Sequence, residues 1–162
     1  MTDLLWFVAH TRPRCEKKVV DYCARHSIAV TLPCYKKAHK YRGKTVVFEK
    51  PLFPGYAFVK IPPTLRQKVY QSDYVANLLD VADQTQFVQQ LGDILMALDT
   101  GLEIQLAPEI GEGTRVLIKA GPLRGMVGWV EKRYGMSTVL LRLDFIGQAA
   151  AVKVEATDLE PA

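Results

Sequence analysis

Three histidines and three cysteines of this sequence could in principle bind a metal ion or form a nucleophile–base pair. They are His10, His26, His39, Cys15, Cys23 and Cys34. None of them falls in a CxxC, HExxH or GxSxG arrangement, so the spacings that these chemistries need are missing. Cys15, Cys23 and His26 instead recur along one side of a predicted helix, where core packing is the expected role. We therefore expect no enzymatic activity, no metal site and no cofactor.

Basic side chains concentrate near the start of the sequence. Eleven of the 21 lysines and arginines lie between residues 10 and 50, against three acidic residues. Residues 1–100 hold fourteen basic and nine acidic side chains, whereas residues 101–162 hold seven and eight. A basic field attracts polyanions such as nucleic acid, but a merely solvated basic face gives the same pattern. Both interpretations stay open on charge alone.

The segment 51–60 contains most of a strongly predicted strand, residues 55–61. Alternation places Tyr56 and Phe58 on one face and Ala57 and Val59 on the other, so both faces are apolar. We expect one face to be covered by helices of the same domain. The other face needs a further element of the chain or a partner, unless the strand is simply central and buried on both sides.

Hydrophobic periodicity predicts the elements that position these groups. Strands are predicted over 4–10, 28–35, 55–61 and 76–81, a hairpin over 39–49 with its tip at 42–44, and helices after Pro13, from Pro63 to Tyr70 and over 83–98. The first helix is expected to have about four turns. This order predicts a mostly antiparallel sheet with helices packed on it.

The sequence changes character after residue 100. Residues 99–113 include three glycines and a proline without a clear period, which predicts a linker. Residues 114–160 alternate with period 2 in several short runs, which predicts a small β-barrel. The domain prediction is residues 1–100, a linker over 101–112 and a second domain over 113–162.

Composition excludes several classes of protein. The 162 residues are 49% hydrophobic and 23% charged, a balance typical of globular domains rather than of disordered chains. No apolar run approaches the roughly 18 residues that a membrane span needs. The start of the chain lacks the features of a signal peptide, and three cysteines are too few for a disulfide framework, which favours a cytoplasmic location.

Two segments together resemble one family. Residues 113–131, Gly-Thr-Arg-Val-Leu-Ile-Lys-Ala-Gly-Pro-Leu-Arg-Gly-Met-Val-Gly-Trp-Val-Glu, resemble the KOW motif. Residues 51–60, Pro-Leu-Phe-Pro-Gly-Tyr-Ala-Phe-Val-Lys, resemble the signature strand of the NusG N-terminal domain, and residues 6–19 look like that family's first strand and helix. On this basis the sequence is identified as a member of the NusG family of transcription elongation factors.

The resemblance implies a fold and a mechanism. It implies an α+β protein, with an N-terminal α/β sandwich of mostly antiparallel sheet and a C-terminal SH3-like KOW barrel. The N-terminal domain of this bacterial family binds the clamp helices of the largest catalytic RNA polymerase subunit and suppresses pausing. The KOW domain recruits partners such as the termination factor Rho or a small-subunit ribosomal protein. We expect a monomer without a membrane partner.

The resemblance also implies site residues. The polymerase-binding set carried over by motif is Trp6, His10, Phe53, Tyr56 and Phe58. The set expected to face upstream or non-template DNA is Arg12, Arg14, Lys17, Lys18, Arg42 and Lys44. Contacts of this second kind are made mainly to phosphate, so they position the protein without reading the sequence.

Two details resemble the specialised RfaH-like paralogs more than the housekeeping member. The signature reads Pro-Leu-Phe-Pro-Gly-Tyr over 51–56, and glutamine follows Gly147 where the housekeeping factor usually has arginine. The His-Thr-Thr-Thr element of RfaH is absent near 67–70, so its polymerase contact is not carried over. The alternatives are a housekeeping factor that acts with Rho and a KOW-containing ribosomal or RNA-binding protein.

Overall fold

The computed structural model describes residues 3–109 and 113–162. The chain divides into two compact units, one formed by residues 1–34 and 53–84 and the other by residues 35–52 and 85–162. The strands and helices, in chain order, are β1 Leu5–Thr11, α1 Glu16–Arg25, β2 Ala29–Thr31, β3 Cys34–Tyr41, β4 Lys44–Pro51, β5 Tyr56–Ile61, α2 Arg66–Tyr70, β6 Val75–Asp80, α3 Gln84–Asp99, β7 Ile104–Ala107, β8 Thr114–Ile118, β9 Val127–Val130, β10 Thr138–Leu143, β11 Gln148–Lys153 and β12 Leu159–Pro161.

The first unit is built on a four-stranded antiparallel sheet in the order β2-β5-β1-β6. One face of this sheet packs against α1 and α2. Its core holds Phe7 and Ala9 of β1 with Ala57, Val59 and Ile61 of β5. Burial of these side chains is the main stabilising contribution, at about 25 cal/mol per Å² of apolar surface. The predicted helix-covered face of β5 is therefore the one that carries Ala57 and Val59.

Helix α1 is shorter than the predicted four turns, with ten residues. Pro13 lies before the helix rather than in its first turn, because Arg14 has a positive φ of 62° and so cannot continue a right-handed helix. The apolar side of the helix is confirmed in Val19 and Cys23, which are buried, whereas His26 ends the helix and is exposed. The exposure of His26 corrects its predicted place in the core.

The predicted strand over 28–35 is two strands. β2 ends at Thr31 and β3 begins at Cys34. Pro33 lies between them and lacks the backbone N–H that a sheet ladder needs. The chain then enters a hairpin of β3 and β4, which form a two-stranded sheet of their own. Its turn is Arg42-Gly43, and both residues have positive φ, 49° and 79°, as a two-residue type I′ turn requires.

The C-terminal region forms a six-stranded sheet in the order β12-β8-β9-β10-β11-β7. Gly128 lets β9 approach β10 closely, because a Cβ at this position would lie 2.8 Å from the carbonyl oxygen of Leu140. β10 and β11 are buried on both faces in most positions, not half-exposed as simple alternation predicts. The α+β class with mostly antiparallel sheets and a small C-terminal β domain is confirmed.

Strand β7 lies inside the segment predicted to be a linker. Ile104–Ala107 pairs antiparallel with Ala149–Val152, and Ala107 is fully buried. The small side chains of β11 (Ala149, Ala150 and Ala151) leave room for this edge strand. Irregular periodicity therefore hid a strand whose partner lies more than 40 residues away. The rest of the predicted linker includes 110–112, which lie outside the described residues.

No helix in the described parts of the chain has the length and apolarity of a membrane span.

Candidate functional site

The register between β1 and β5 brings four of the five predicted polymerase-binding residues to one face of the sheet. His10 lies opposite Tyr56, Val8 opposite Phe58 and Trp6 opposite Lys60. Side chains two apart on a strand share a face, so Trp6, His10, Tyr56 and Phe58 all point away from the core of α1 and α2. The pairing of the two strands therefore adds Trp6 and His10 to the face on which alternation places Tyr56 and Phe58.

These side chains differ in accessibility. Phe58 is 0% exposed and Phe53 is 1% exposed, and their rings pack edge to face with centroids 6.5 Å apart. Tyr56 and Trp6 are half-buried, and His10 is exposed. The two phenylalanines are therefore closed to solvent, whereas Tyr56, His10 and Trp6 retain accessible surface.

His10 and Tyr56 form a stacked pair. Their ring centroids are 5.3 Å apart and the ring planes are inclined by 24°. Gly55 precedes the pair in a turn and has a φ of +88°, a backbone conformation that favours glycine. The carbonyl of Gly55 also accepts a hydrogen bond from the Thr11 amide at 2.8 Å. This turn fixes the ring pair at one end of the face.

The backbone of Trp6 is held by a side chain that the sequence analysis did not single out. The Gln84 carboxamide accepts a hydrogen bond from the Trp6 amide at 2.7 Å and donates one to its carbonyl at 2.9 Å. The carboxamide thereby replaces a neighbouring strand at a point where the β1–β6 pairing has ended. Lys60 lies over the Trp6 ring, with its Nζ 5.9 Å from the centroid. Glutamine at the start of a predicted helix gives no sequence signal for such a role.

The four predicted DNA-facing residues of the first unit cluster where β1 leads into α1. Arg12, Arg14, Lys17 and Lys18 are all exposed. The Arg12 amide donates to the Tyr74 carbonyl at 2.8 Å, and the ammonium of Lys18 lies 5.7 Å from the centre of the Tyr74 ring. The cluster is therefore held on an ordered backbone, with a helix N-terminus, which favours anions, beside it.

The other two predicted DNA-facing residues, Arg42 and Lys44, lie in the second unit. They occupy the tip of the β3–β4 hairpin, and both are exposed.

The cysteines and histidines are not gathered into a site. No group of three His, Cys, Asp or Glu side chains in the described residues has the geometry of a metal centre. Cys15, Cys23 and Cys34 are thiols and not members of disulfides. Burial raises the pKa of the Cys23 thiol to about 11, which disfavours the nucleophilic thiolate.

Within the second unit, α3 packs on the turn that follows β10. The Asp144 amide donates to the Gln90 side-chain oxygen at 2.9 Å, and the Gln86 side chain donates to the Asp144 carboxylate at 3.2 Å. Phe87 meets Phe145 edge to face with centroids 6.5 Å apart.

A cleft of the same unit holds a cation–aromatic pair, in which the Arg142 guanidinium lies 3.8 Å from the centre of the Trp129 ring. Burial raises the pKa of Asp93, which faces the same cleft. Sequence reasoning did not find these contacts.

A family model described as transcription termination factor nusG matches residues 4–99. The match covers more than half of the chain and includes β1, α1, the hairpin, β5 and α3. The chain belongs to the NusG family. This is a family of non-enzymatic transcription factors that act on elongation and termination through RNA polymerase, which confirms the general function expected from the sequence. A search of curated proteins finds no match to the chain.

Proposed function

We propose that this protein binds the clamp helices of the largest RNA polymerase subunit through the face that carries His10 and Tyr56, and that it suppresses pausing. The observation that supports this most directly is the stacked, partly open ring pair at the edge of an otherwise apolar sheet face. A helix lying in an apolar groove is a common recognition mode. Aromatic anchors usually dominate its affinity.

The predicted polymerase-binding residues divide into two roles in this proposal. Tyr56, His10 and Trp6 contact the partner, since they retain accessible surface. Phe53 and Phe58 are buried and pack edge to face against each other, so their role in this proposal is to stabilise the fold of the site. This division refines the sequence prediction, which treated all five residues alike.

We further propose that the basic cluster at the start of α1 contacts phosphates of upstream or non-template DNA. Its four cationic side chains are exposed and lie next to a helix N-terminus. Contacts of this kind raise affinity for any sequence and weaken as salt rises.

The C-terminal β domain is proposed to recruit a further partner, Rho or a small-subunit ribosomal protein. We favour an RfaH-like paralog over the housekeeping member, because Gln148 replaces the usual arginine directly after the left-handed Gly147 of the turn. The specific observation for the alternative, a termination factor that acts with Rho, is the description of the matching family.

The polymerase proposal is tested with a purified clamp-helix fragment. Tyr56→Ala and His10→Ala should each weaken binding, and the tyrosine change should do so by about 30-fold, the equivalent of roughly 2 kcal/mol for an interface anchor. Tyr41→Ala is the matched control, because Tyr41 is an exposed tyrosine on the hairpin. Equal binding by folded Tyr56→Ala protein would refute the assignment of this face.

The DNA proposal is tested by charge reversal in a transcription assay with purified polymerase. Changing Arg12, Lys17 and Lys18 to Glu should reduce pause suppression, and rising salt should reduce it further by screening the remaining cations. The control triple variant reverses exposed basic residues of the C-terminal domain and changes the net charge equally; it consists of Lys119→Glu, Arg124→Glu and Lys132→Glu. If both triple variants lose the same activity, net charge rather than the cluster is responsible.

A further inference from the structure

The β3–β4 hairpin exposes large apolar side chains that its own packing does not use. Tyr41 is 68% exposed and Phe48 is 45% exposed, and the two strands form a sheet with no third strand. A two-stranded hairpin by itself is only marginally stable in water. Exposed aromatic side chains that cluster in this way typically mark an interaction surface.

The aromatic side chains of the hairpin share one face. Alternation from the Arg42-Gly43 turn places His39 and Tyr41 of β3 on the same side as Phe48 of β4. The rings of His39 and Phe48 meet edge to face, with centroids 5.5 Å apart. A shallow cleft at this face is lined by His39, Lys40, Tyr41, Phe48 and Lys50. Val47, which is 59% exposed, points to the opposite face.

The same hairpin is strongly cationic. Residues 34–51 contain six lysines and arginines against one glutamate. The side chains of Lys36, Lys37, Lys40 and Lys44 are exposed. Lys44 adjoins the turn, and Lys50 lines the aromatic cleft. Cations interleaved with aromatic rings are the pattern by which proteins hold single-stranded nucleic acid, since phosphates meet the cations and bases stack on the rings.

We propose that this face of the hairpin, defined by His39, Tyr41, Phe48 and Lys50, binds single-stranded DNA by stacking unpaired bases on Tyr41 and Phe48. The proposal deepens and rests on the proposed function, in which the protein works beside the unpaired strand of a transcribing polymerase. The excess of positive charge favours a polyanion over a neutral protein partner. Stacking favours a single strand, because a duplex keeps its base faces covered.

Binding of the full-length protein to a fluorescently labelled oligothymidine of about ten nucleotides, a length within the usual site size, provides the test. Tyr41→Ala and Phe48→Ala should each weaken binding by about five-fold or more, as loss of one base–ring stack does. Tyr41→Phe should bind like the parent, since stacking does not need the hydroxyl. Val47→Ala is the matched control, because it truncates an exposed side chain of the same strand on the opposite face.

Salt dependence separates stacking from charge. Aromatic variants should shift the line of log affinity against log salt without changing its slope, whereas Lys44→Gln should reduce the slope by about 0.7, the value for one phosphate contact on a single strand. A 2-aminopurine base placed in the oligonucleotide gives a second readout. Its fluorescence should be quenched on binding to the parent and less so with Tyr41→Ala.

Three results would overturn the proposal: unchanged affinity in both aromatic alanine variants, an equal loss in Val47→Ala, or tighter binding of a duplex or of oligouridine RNA than of oligothymidine. Tyr41→Ala should leave capture by the clamp-helix fragment unchanged. Failure of stacking is therefore distinguishable from failure of the polymerase proposal, which Tyr56→Ala tests.

Discussion

Truncating two neighbouring aromatic residues of β5 should have opposite effects on folding and binding. Phe58 is fully buried and touches Phe53, so Phe58→Ala removes a core side chain and leaves a cavity. Such changes cost about 3–5 kcal/mol. Tyr56 is only half-buried, and its main described ring contact is the stack with His10. Loss of that stack costs about 0.5–1.5 kcal/mol, which the fold tolerates.

Urea unfolding and fragment binding together give the measurement. With an unfolding slope of about 2 kcal/mol per molar urea, Phe58→Ala should lower the midpoint by roughly 2 M, and Tyr56→Ala by well under 1 M. Below the unfolding transition, Tyr56→Ala should bind the clamp-helix fragment about 30-fold more weakly. Phe58→Ala should lose binding chiefly in proportion to its unfolded fraction.

The reasoning is refuted by the reverse pattern. If Phe58→Ala keeps the parent's midpoint but loses binding, the ring is an accessible contact rather than a support. If Tyr56→Ala loses several kcal/mol of stability, Tyr56 belongs to the core. Phe58→Leu serves as the control variant, because it retains most of the buried volume and should restore much of the stability.

Other changes test the described packing. In urea unfolding, Gly128→Ala should destabilise the C-terminal sheet by about 1–3 kcal/mol, because its Cβ collides with the neighbouring strand. Gly92→Ala should instead stabilise the protein by up to about 1 kcal/mol, because a Cβ on this exposed helix surface meets nothing within 4 Å. The Cys23 pKa of about 11 lies above its ordinary value of 9.0, so folding favours the protonated thiol. The free energy of unfolding should therefore be constant below pH 9 and fall by about 2–3 kcal/mol as the pH rises towards 11. Cys23→Ala should not show this loss. Hydrogen exchange should be slowed across Ile104–Ala107, and free exchange there would contradict the pairing of β7.

Local patterns predicted most elements of the fold. The i, i+4 spacing of Val19 and Cys23 and the alternation of 56–61 carry their signals within a few residues, and both helix and strand are observed. The predictions were wrong where an element depends on an unusual backbone conformation or on a strand far away in the sequence. Arg14 adopts a positive φ that its residue type does not announce, and β7 exists because β11 offers an edge.

The sequence predicted which side chains of the candidate site share a face, but not how deeply each of them is buried. Alternation alone places Tyr56 and Phe58 on one side, and the motif resemblance added Trp6 and His10. Sequence cannot separate a half-buried tyrosine from a fully buried phenylalanine two residues later, because accessibility depends on what packs above each ring. The Gln84 contacts with Trp6 span 78 residues and leave no trace in local composition.

The packing of α3 on the turn after β10 affects how freely the C-terminal domain can be exchanged between relatives. The helix lies within the family-matched residues 4–99, yet Gln86, Phe87 and Gln90 make their contacts with Asp144 and Phe145. A chimera that joins residues 1–100 to the barrel of another family member would keep α3 but lose the side chains that α3 contacts. A chimera that keeps α3 should therefore also keep Asp144 and Phe145. These contacts connect α3 to the C-terminal sheet across the segment that the sequence predicts to be a linker.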